Sequence, residues 1–214
     1  MARPREFDVD EAIQKAMELF WDRGYHATSI SDLTDVLGIL RGSLYKAFPS
    51  KHSLLLTTLD RYRIDALDDI RSQLDRPGSA LSSLSEVLYS VADSCSGVAG
   101  RNGCFIANLT LEMLPHDRVI ADRISRHYQQ LTDIFEEVLE RIELPSGTTV
   151  PALAQLIVTT IQGLRVLGKT APSRQLTRST VELLLQFMTD RSRLERAQVE
   201  SAIHIQHLTG GIIE

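Results

Sequence analysis

Residues 28 to 51, with the sequence TSISDLTDVLGILRGSLYKAFPSK, constrain the fold more than any other stretch of this 214-residue chain. Ser29 is a favourable N-cap, and Asp32 three residues later completes the pattern of a capping box, so a helix is predicted to begin there. Gly38 favours the left-handed conformation that ends many helices. A second short helix follows, and Pro49 ends it. The segment therefore predicts two short helices joined by a tight turn.

The second of these helices is predicted to have one apolar and one polar face. Leu44 and Phe48 are four residues apart, so both can point towards a core. The side chains left on the outside carry two cations and two hydroxyl groups: Arg41, Ser43, Tyr45 and Lys46. Two short helices with such an outer face are typical of the helix-turn-helix proteins that read the major groove of DNA.

This region resembles the DNA-binding region of the TetR family of bacterial transcriptional regulators. The family pattern LFxxxGYxxTS matches residues 19–29, and the pattern G-[VI]-x-x-[GP]-[ST]-LY-x-x-F matches residues 38–48. A lysine that opens the next helix corresponds to Lys51. Two positions depart from the pattern: Leu40 stands where a Ser or Asn usually caps the recognition helix, and Ala47 replaces a frequent aromatic residue or His.

The outer face of the second helix supplies the predicted base contacts. Arg41 and Lys46 can reach base edges or phosphates, and an arginine so placed most often pairs with guanine. Gly42 leaves room for a close approach to DNA, and Ser43 can hydrogen-bond a base or a phosphate. The alternative is that the cations belong to an ordinary solvated surface.

A second set of residues is predicted to hold the DNA backbone. The resemblance implies that Tyr45 and Lys51 grip phosphates, and Lys51 also lies at a predicted helix N-terminus, which favours anions. Ser29 adds a phosphate contact from the start of its own helix. Arg3 and Arg5 can enter the minor groove from the N-terminal arm, or remain solvated there.

Apolar periodicity predicts an all-α fold with nine helices and almost no strand. Besides the two short helices, those predicted are one capped by Asp8, then 51–74, one around 81–91, 103–115, 117–142, 150–167 and 173–195. An N-terminal three-helix DNA-binding helix-turn-helix domain is assigned to residues 1–50. A larger helical domain for ligand binding and dimerisation is assigned to residues 51–214, as the resemblance implies.

The last two long helices are candidates for a dimer interface. In the family they pair with their symmetry mates in a four-helix arrangement, which implies a homodimer here. Two apolar stripes are able to face such a partner, or to belong to the core alone: Ile157, Ile161 and Leu164, and Leu184, Leu185 and Met188.

Charge and composition exclude little. The formal net charge is −5, but residues 1–63 carry nine cations and nine acids, so the whole deficit lies elsewhere. Two cysteines are too few for a disulfide scaffold. No apolar run appears long enough to span a membrane, no secretory signal is recognised, and the predicted location is therefore the cytoplasm.

Cys104 is the candidate sensor residue. It follows Gly103 at a predicted helix start, where the helix N-terminus and the neighbouring Arg101 both favour the thiolate. The pattern GCxxxN…E, formed by Cys104, Asn108 and Glu112, resembles one TetR branch with members that respond to electrophiles or oxidants. Alternatively, Cys104 is a buried cysteine that packs as a small apolar side chain.

A ligand cavity between the body helices is implied by the family architecture, and its occupant would be a small-molecule inducer of unknown identity. The polar side chains available to line it are Glu112, His116, His127, Tyr128, Gln162 and Arg165. Each of them singly is also consistent with a surface or structural role. No cofactor is expected, and two histidines in the tail, His204 and His207, make a poor metal site on their own.

These features predict a ligand- or electrophile-responsive DNA-binding regulator, most consistent with a repressor that binds a near-palindromic operator as a dimer. An enzyme is disfavoured because the sequence has no Gly-x-Ser-x-Gly, no phosphate-binding glycine loop and no His-Glu-x-x-His. Two alternatives remain open: a helical adaptor that acts through protein contacts, and a thiol-based redox sensor.

Overall fold

Nine α-helices and one short 3₁₀ helix make up the computed structural model of the chain, which describes residues 8–114, 116–145 and 147–189. The α-helices are α1 Val9–Arg23, α2 Ile30–Leu37, α3 Arg41–Ala47, α4 Lys51–Leu74, α5 Ala80–Ser94, α6 Phe105–Met113, α7 Arg118–Leu139, α8 Val150–Gly168 and α9 Arg174–Thr189. The 3₁₀ helix, Ala99–Asn102, precedes α6. These ranges contain no strand, and the predicted all-α fold class is confirmed.

Local capping chemistry sets the ends of the first helices. The Asp8 carboxylate accepts hydrogen bonds from two backbone N–H groups of the first turn of α1. Ser29 and Asp32 form the predicted reciprocal capping box, and Gly38 ends α2 in the left-handed conformation, with a φ of 66°. Leu40 precedes α3 without a side-chain cap, as its apolar side chain requires.

A first core cluster joins the helix-turn-helix region to the rest of the chain. We call α1–α3 the head and α4–α9 the body. The cluster contains buried residues of both: Ile13, Ala16, Met17, Leu19, Phe20, Leu33, Leu44, Phe48, Leu54, Leu55, Leu59, Cys104, Phe105, Ile106, Ala107, Leu109, Met113, Ile120 and Ile124. A division at residue 50 therefore crosses a shared core, and the two-domain assignment remains a prediction about function.

A second core cluster lies between α5, the second half of α7, α8 and α9, with Phe135 fully buried within it. Five of the six residues of the two apolar stripes are buried in this cluster, and Leu185 packs against it: Ile157, Ile161, Leu164, Leu184 and Met188. Of the two roles left open for these stripes, the structure shows the core role.

Helix α8 contradicts the prediction that no apolar run is long enough to span a membrane. It has 19 residues and a mean hydropathy of 1.4, which suffices by length and composition. The physical reason for this hydropathy is that α8 contacts α5, α6 and α7 and so belongs to the second core.

One predicted helix end differs from the one observed, and the predicted end of the last helix lies outside the described residues. Helix α7 ends at Leu139, before the predicted 142, and Ile142 packs against the core from the following turn. Helix α9 is described as far as Thr189. The predictions for Arg3, Arg5, His204 and His207 lie outside the described residues.

Candidate DNA-binding surface and thiol site

Helix α3 presents the predicted outer face. Leu44 and Phe48 anchor it in the first core cluster, whereas Arg41, Tyr45 and Lys46 are exposed. The guanidinium carbon of Arg41 lies 5.5 Å from the centre of the Tyr45 ring, within the range of a cation–π contact. The side chain of Arg41 is thus supported on the surface by a neighbour one turn away.

Gly42, Ser43 and Ser29 occupy different surroundings. A Cβ atom at Gly42 would meet nothing within 4 Å, so a ligand can approach the backbone of α3 there. Ser43 is half-buried. The Ser29 hydroxyl lies 2.5 Å from the Asp32 carboxylate, to which it donates. The Ser29 hydroxyl is therefore already engaged within its own capping box, and a phosphate contact from Ser29 stays a prediction.

Lys51 opens α4 beside the α1–α2 loop. Ser50 caps this helix through a reciprocal bond with Ser53. The Lys51 Nζ lies 4.1 Å from the centre of the Tyr25 ring. Burial lowers the pKa of Lys51, and the nearby carboxylate of Glu112 opposes that shift. Lys51, the residue predicted to contact phosphate, therefore lies against Tyr25 of the head and near Glu112 of the body.

Cys104 is the N-cap residue of α6, and its side chain is only 2% exposed. Arg165 Nη1, from α8, donates to Cys104 Sγ over 3.2 Å, and the Tyr62 hydroxyl lies 3.6 Å from the same sulfur. Burial alone would raise the pKa of this thiol, but Arg165, the Ala107 N–H and Tyr62 outweigh burial and lower the pKa.

The arginine that activates Cys104 was not predicted from the sequence. Arg101, the neighbour in sequence, is exposed, and the cation in contact is Arg165, which is 61 residues away along the chain. No local pattern could have indicated this pairing. The second cysteine, Cys95, differs in character, because burial raises the pKa of its thiol.

Asn108 and Glu112, the other members of the GCxxxN…E pattern, hold α6 in place. The Asn108 amide donates to the carbonyl of Asn102 over 3.0 Å and accepts from Lys169 Nζ, also over 3.0 Å. The Glu112 carboxylate accepts the backbone N–H groups of Tyr25 and His26 over 2.9 and 2.7 Å. Glu112 therefore ties α6 to the head, and a ligand contact for it stays a prediction.

Two neighbouring cavities lie around Arg165. The larger, of about 460 Å³, lies between α1, α4 and α5, and the smaller, of about 260 Å³, lies towards the 3₁₀ helix. Both are lined by Trp21, Tyr62, Ser94 and Arg165. Either is roomy enough for the polar end of a small molecule.

A third cavity, of about 840 Å³, runs between α7 and α8 and is lined partly by Tyr128 and Gln162. Of the other predicted lining residues, His116 is exposed, and His127 is buried without a hydrogen-bond partner for Nδ1 among the described residues. The six polar candidates are therefore spread over several places in the body.

Comparison with known proteins relates this geometry to a family. Residues 12–58 match the family model described as bacterial regulatory proteins, tetR family, and residues 80–181 match the C-terminal domain of LmrA/YxaF-like transcriptional regulators. The HTH-type transcriptional repressor ComR of Escherichia coli K12 is 32% identical over 80% of this chain and 84% of its own length. The chain belongs to the TetR family.

Other TetR-family proteins extend the likeness. The repressor BdcR of Escherichia coli K12 is 34% identical over 65% of this chain and 70% of its own length. A solved structure of a cysteine mutant of the TetR-family regulator CifR, in complex with 26-base-pair operator DNA, is 31% identical. It covers 86% of this chain and 98% of CifR, with a TM-score of 0.76.

Because the chain belongs to the TetR family, the predicted helix-turn-helix and the prediction of a DNA-binding transcriptional regulator are confirmed. The matched relatives are named as regulators of transcription, in keeping with the sequence argument against the enzyme class.

Proposed function

We propose that the protein is a homodimeric transcriptional repressor of the cytoplasm, which leaves a near-palindromic operator when an inducer or an electrophile acts on its body. The exposed face of α3 carries this proposal, because Arg41, Tyr45 and Lys46 are free to enter a major groove. The repressor names of ComR and BdcR support the direction of regulation.

In this proposal each side chain has a separate role on DNA. Arg41 and Lys46 read base edges or neutralise phosphates, while Gly42 and Ser43 allow close approach of the α3 backbone. Tyr45, Lys51 and Ser29 hold the sugar-phosphate backbone, with Lys51 at the N-terminus of α4, where phosphate is favoured.

The dimer is supported by apolar side chains that the chain leaves exposed on its last two helices. They follow helical spacing and lie on the sides of α8 and α9 away from the second core: Leu156, Val166, Leu167, Leu176, Leu183 and Phe187. A copy of the same surface can cover them in a four-helix interface. Two α3 helices would then occupy successive major grooves, about 34–36 Å apart.

Helix α6 is the proposed link between sensing and DNA binding. Cys104 lies at its N-cap and Glu112 in its last turn, about 12 Å apart along the axis by the helical rise per residue. Modification of Cys104 removes the thiolate that neutralises Arg165, and the buried charge then has to find a new arrangement. A shift of α6 reaches Tyr25 and Lys51 through Glu112, and favours a head position that no longer fits the operator.

A gel shift tests the proposed function directly. The purified protein is incubated with the DNA upstream of its own gene, with unrelated DNA as competitor, alongside Arg41→Ala and a matched control, Arg76→Ala. Arg76 is an exposed arginine beyond the other end of α4. We expect a discrete complex for the wild type and for Arg76→Ala, and its loss in Arg41→Ala. Equal binding by all three proteins would contradict the assigned role of α3.

A further inference from the structure

We propose that the neighbouring cavities beside Arg165 form a binding site for a small organic monocarboxylate with an apolar body. The carboxylate would pair with the Arg165 guanidinium and compete there with the sulfur of Cys104. This site names a class of inducer for the proposed regulator, and its regulatory consequence rests on that proposed function.

Arg165 has hydrogen-bond donors left over for a carboxylate. Its Nη1 contacts Cys104 Sγ over 3.2 Å and the Tyr62 hydroxyl over 3.4 Å. Within the described part of the chain, no carboxylate forms an ion pair with this guanidinium, and no hydrogen bond engages its Nε or Nη2. A guanidinium has five N–H donors in a planar fork, and a carboxylate is the group that engages two of them at once.

The larger cavity has a suitable size and lining for such a ligand. Its volume of about 460 Å³ lies within the usual range of small-molecule sites. Apolar side chains from α1, α4 and α5 form part of its lining: Met17, Trp21, Ile70, Val87 and Val91. Arg165 and polar side chains lie on the remaining surface, so the site suits a ligand with one charged end and one apolar end.

Two carboxylates in the lining of the larger cavity limit the number of negative charges on the ligand. Asp65 and Asp69 also line the larger cavity, and both are exposed. Asp65 accepts from Arg61, and Asp69 accepts from Gln73. A second negative charge on the ligand would face these carboxylates and be repelled, and a monoanion is therefore preferred over a dianion.

Occupation of the cavity would act on the head without a covalent step. Trp21, from α1, packs edge-on against Tyr62 with 5.3 Å between ring centres. Its indole N–H donates to the carbonyl of Asn102 over 2.9 Å. A ligand between α1, α4 and α5 therefore contacts the residues that hold α1 against the body.

Tryptophan fluorescence of the full-length protein tests the site. Trp21 is the only tryptophan in the chain and lines both cavities. The probes are benzoate and its uncharged isostere benzamide. We expect a saturable fluorescence change with benzoate and binding of benzamide weaker by at least about tenfold, since the amide cannot form the charged pair. Equal responses to the two probes would overturn the proposal.

Matched variants separate the cation from its surroundings. Arg165→Gln should weaken benzoate binding by at least about tenfold, whereas Arg101→Gln, at an exposed arginine, should not change it. Cys104→Ala should bind benzoate more tightly than the wild type, because it removes the competing thiolate. Unchanged affinity in Arg165→Gln, or weaker affinity in Cys104→Ala, would show that Arg165 does not hold the carboxylate.

Alkylation of the wild type provides a test that does not depend on the folding of a variant. Benzoate should slow the reaction of Cys104 with iodoacetamide, since it takes Arg165 from the thiolate, and benzamide should not. An unchanged rate at saturating benzoate would contradict the competition. These assays contain no DNA, so their failure is distinguishable from a failure of operator binding.

Discussion

Cys104 and Arg165 face each other inside the protein with 3.2 Å between Sγ and Nη1, and the guanidinium lowers the pKa of the thiol against the effect of burial. The geometry makes Cys104 an activated thiol in a closed site. Cys95 is also buried, but its pKa is raised. The contact with the Arg165 guanidinium thus distinguishes the reactivity of Cys104 from that of Cys95.

We predict that Arg165→Gln slows alkylation of Cys104 by iodoacetamide at neutral pH by about tenfold or more. The rate of alkylation follows the fraction of Cys104 present as thiolate. Because removal of the cation lets burial raise the pKa of Cys104, the rate should increase only at a higher pH in the variant. Mass spectrometry of Cys104 across a pH series measures this. The control is Arg101→Gln, and an equal slowing in that variant would contradict the assignment.

His127 gives a prediction about stability. Burial lowers its pKa to about 4, with Arg63 and Arg165 adding to the shift, and Nδ1 has no hydrogen-bond partner among the described residues. The unfolded chain binds a proton near the ordinary pKa of 6.5 while the folded chain does not, so stability falls as the pH drops from about 6.5 towards 4.

His127→Phe should remove this dependence. The full effect corresponds to about 3 kcal/mol at the acid end of that range. Urea unfolding of both proteins at pH 5 and pH 7.5 measures it, and the difference between the two pH values should be smaller in the variant. The same pH dependence in both proteins would show that His127 does not cause it.

At the scale of whole elements, α6 has two kinds of attachment. Its N-terminus carries Cys104, and its last turn carries Glu112, whose carboxylate accepts two backbone N–H groups of the head. Gly24 allows this close approach: its φ is 87°, and a Cβ atom there would lie 3.0 Å from a Glu112 oxygen. The seam between head and body, meaning the contact of Glu112 with the backbone of Tyr25 and His26, therefore depends on Gly24 and on the Glu112 carboxylate.

Glu112→Gln should loosen that seam, because an amide presents a single uncharged oxygen to the two donors. We expect the amide protons of Tyr25 and His26 to exchange with deuterium faster, by about fivefold or more for a loss near 1 kcal/mol. Glu86→Gln, at an exposed residue of α5, is the matched control. Unchanged exchange at both amides would contradict the proposed link.

Sequence predicted the elements better than the contacts between them. The caps at Ser29 and Gly38 depend on neighbouring residues alone, and both are observed. The bond between Glu112 and Tyr25 joins residues 87 apart, so no local pattern announces it. Both α8 and α9 carry apolar residues on two faces, and periodicity could not decide which face is buried. The role of Ile157 therefore stayed open between core and interface until the structure showed it buried.

At the scale of the whole molecule, the exposed apolar residues of α8 and α9 require a cover. We predict that Phe187→Asp yields a monomer with the 23.9 kDa mass of one chain, whereas the wild type has twice that mass. The matched control is Ile64→Asp, at an exposed apolar residue of α4. Sedimentation measures the masses, and a dimeric Phe187→Asp would place the interface elsewhere.

The first core cluster packs the head and the body together as one unit. It contains residues of α1, α3, α4, α6 and α7, so the position of the head depends on the packing of body helices. A change at Cys104 enters this cluster directly, since Cys104 itself belongs to it. The proposed coupling between sensing and DNA binding would run through this one core.

The most direct test of this account is the operator affinity of the full-length protein before and after treatment with iodoacetamide, measured by fluorescence anisotropy. The wild type and Cys95→Ala should each lose at least about tenfold in affinity on alkylation, a coupling of about 1.4 kcal/mol. Cys104→Ala should keep its affinity. Undiminished binding by wild-type protein fully alkylated at Cys104 would contradict the claim that this thiol controls the repressor.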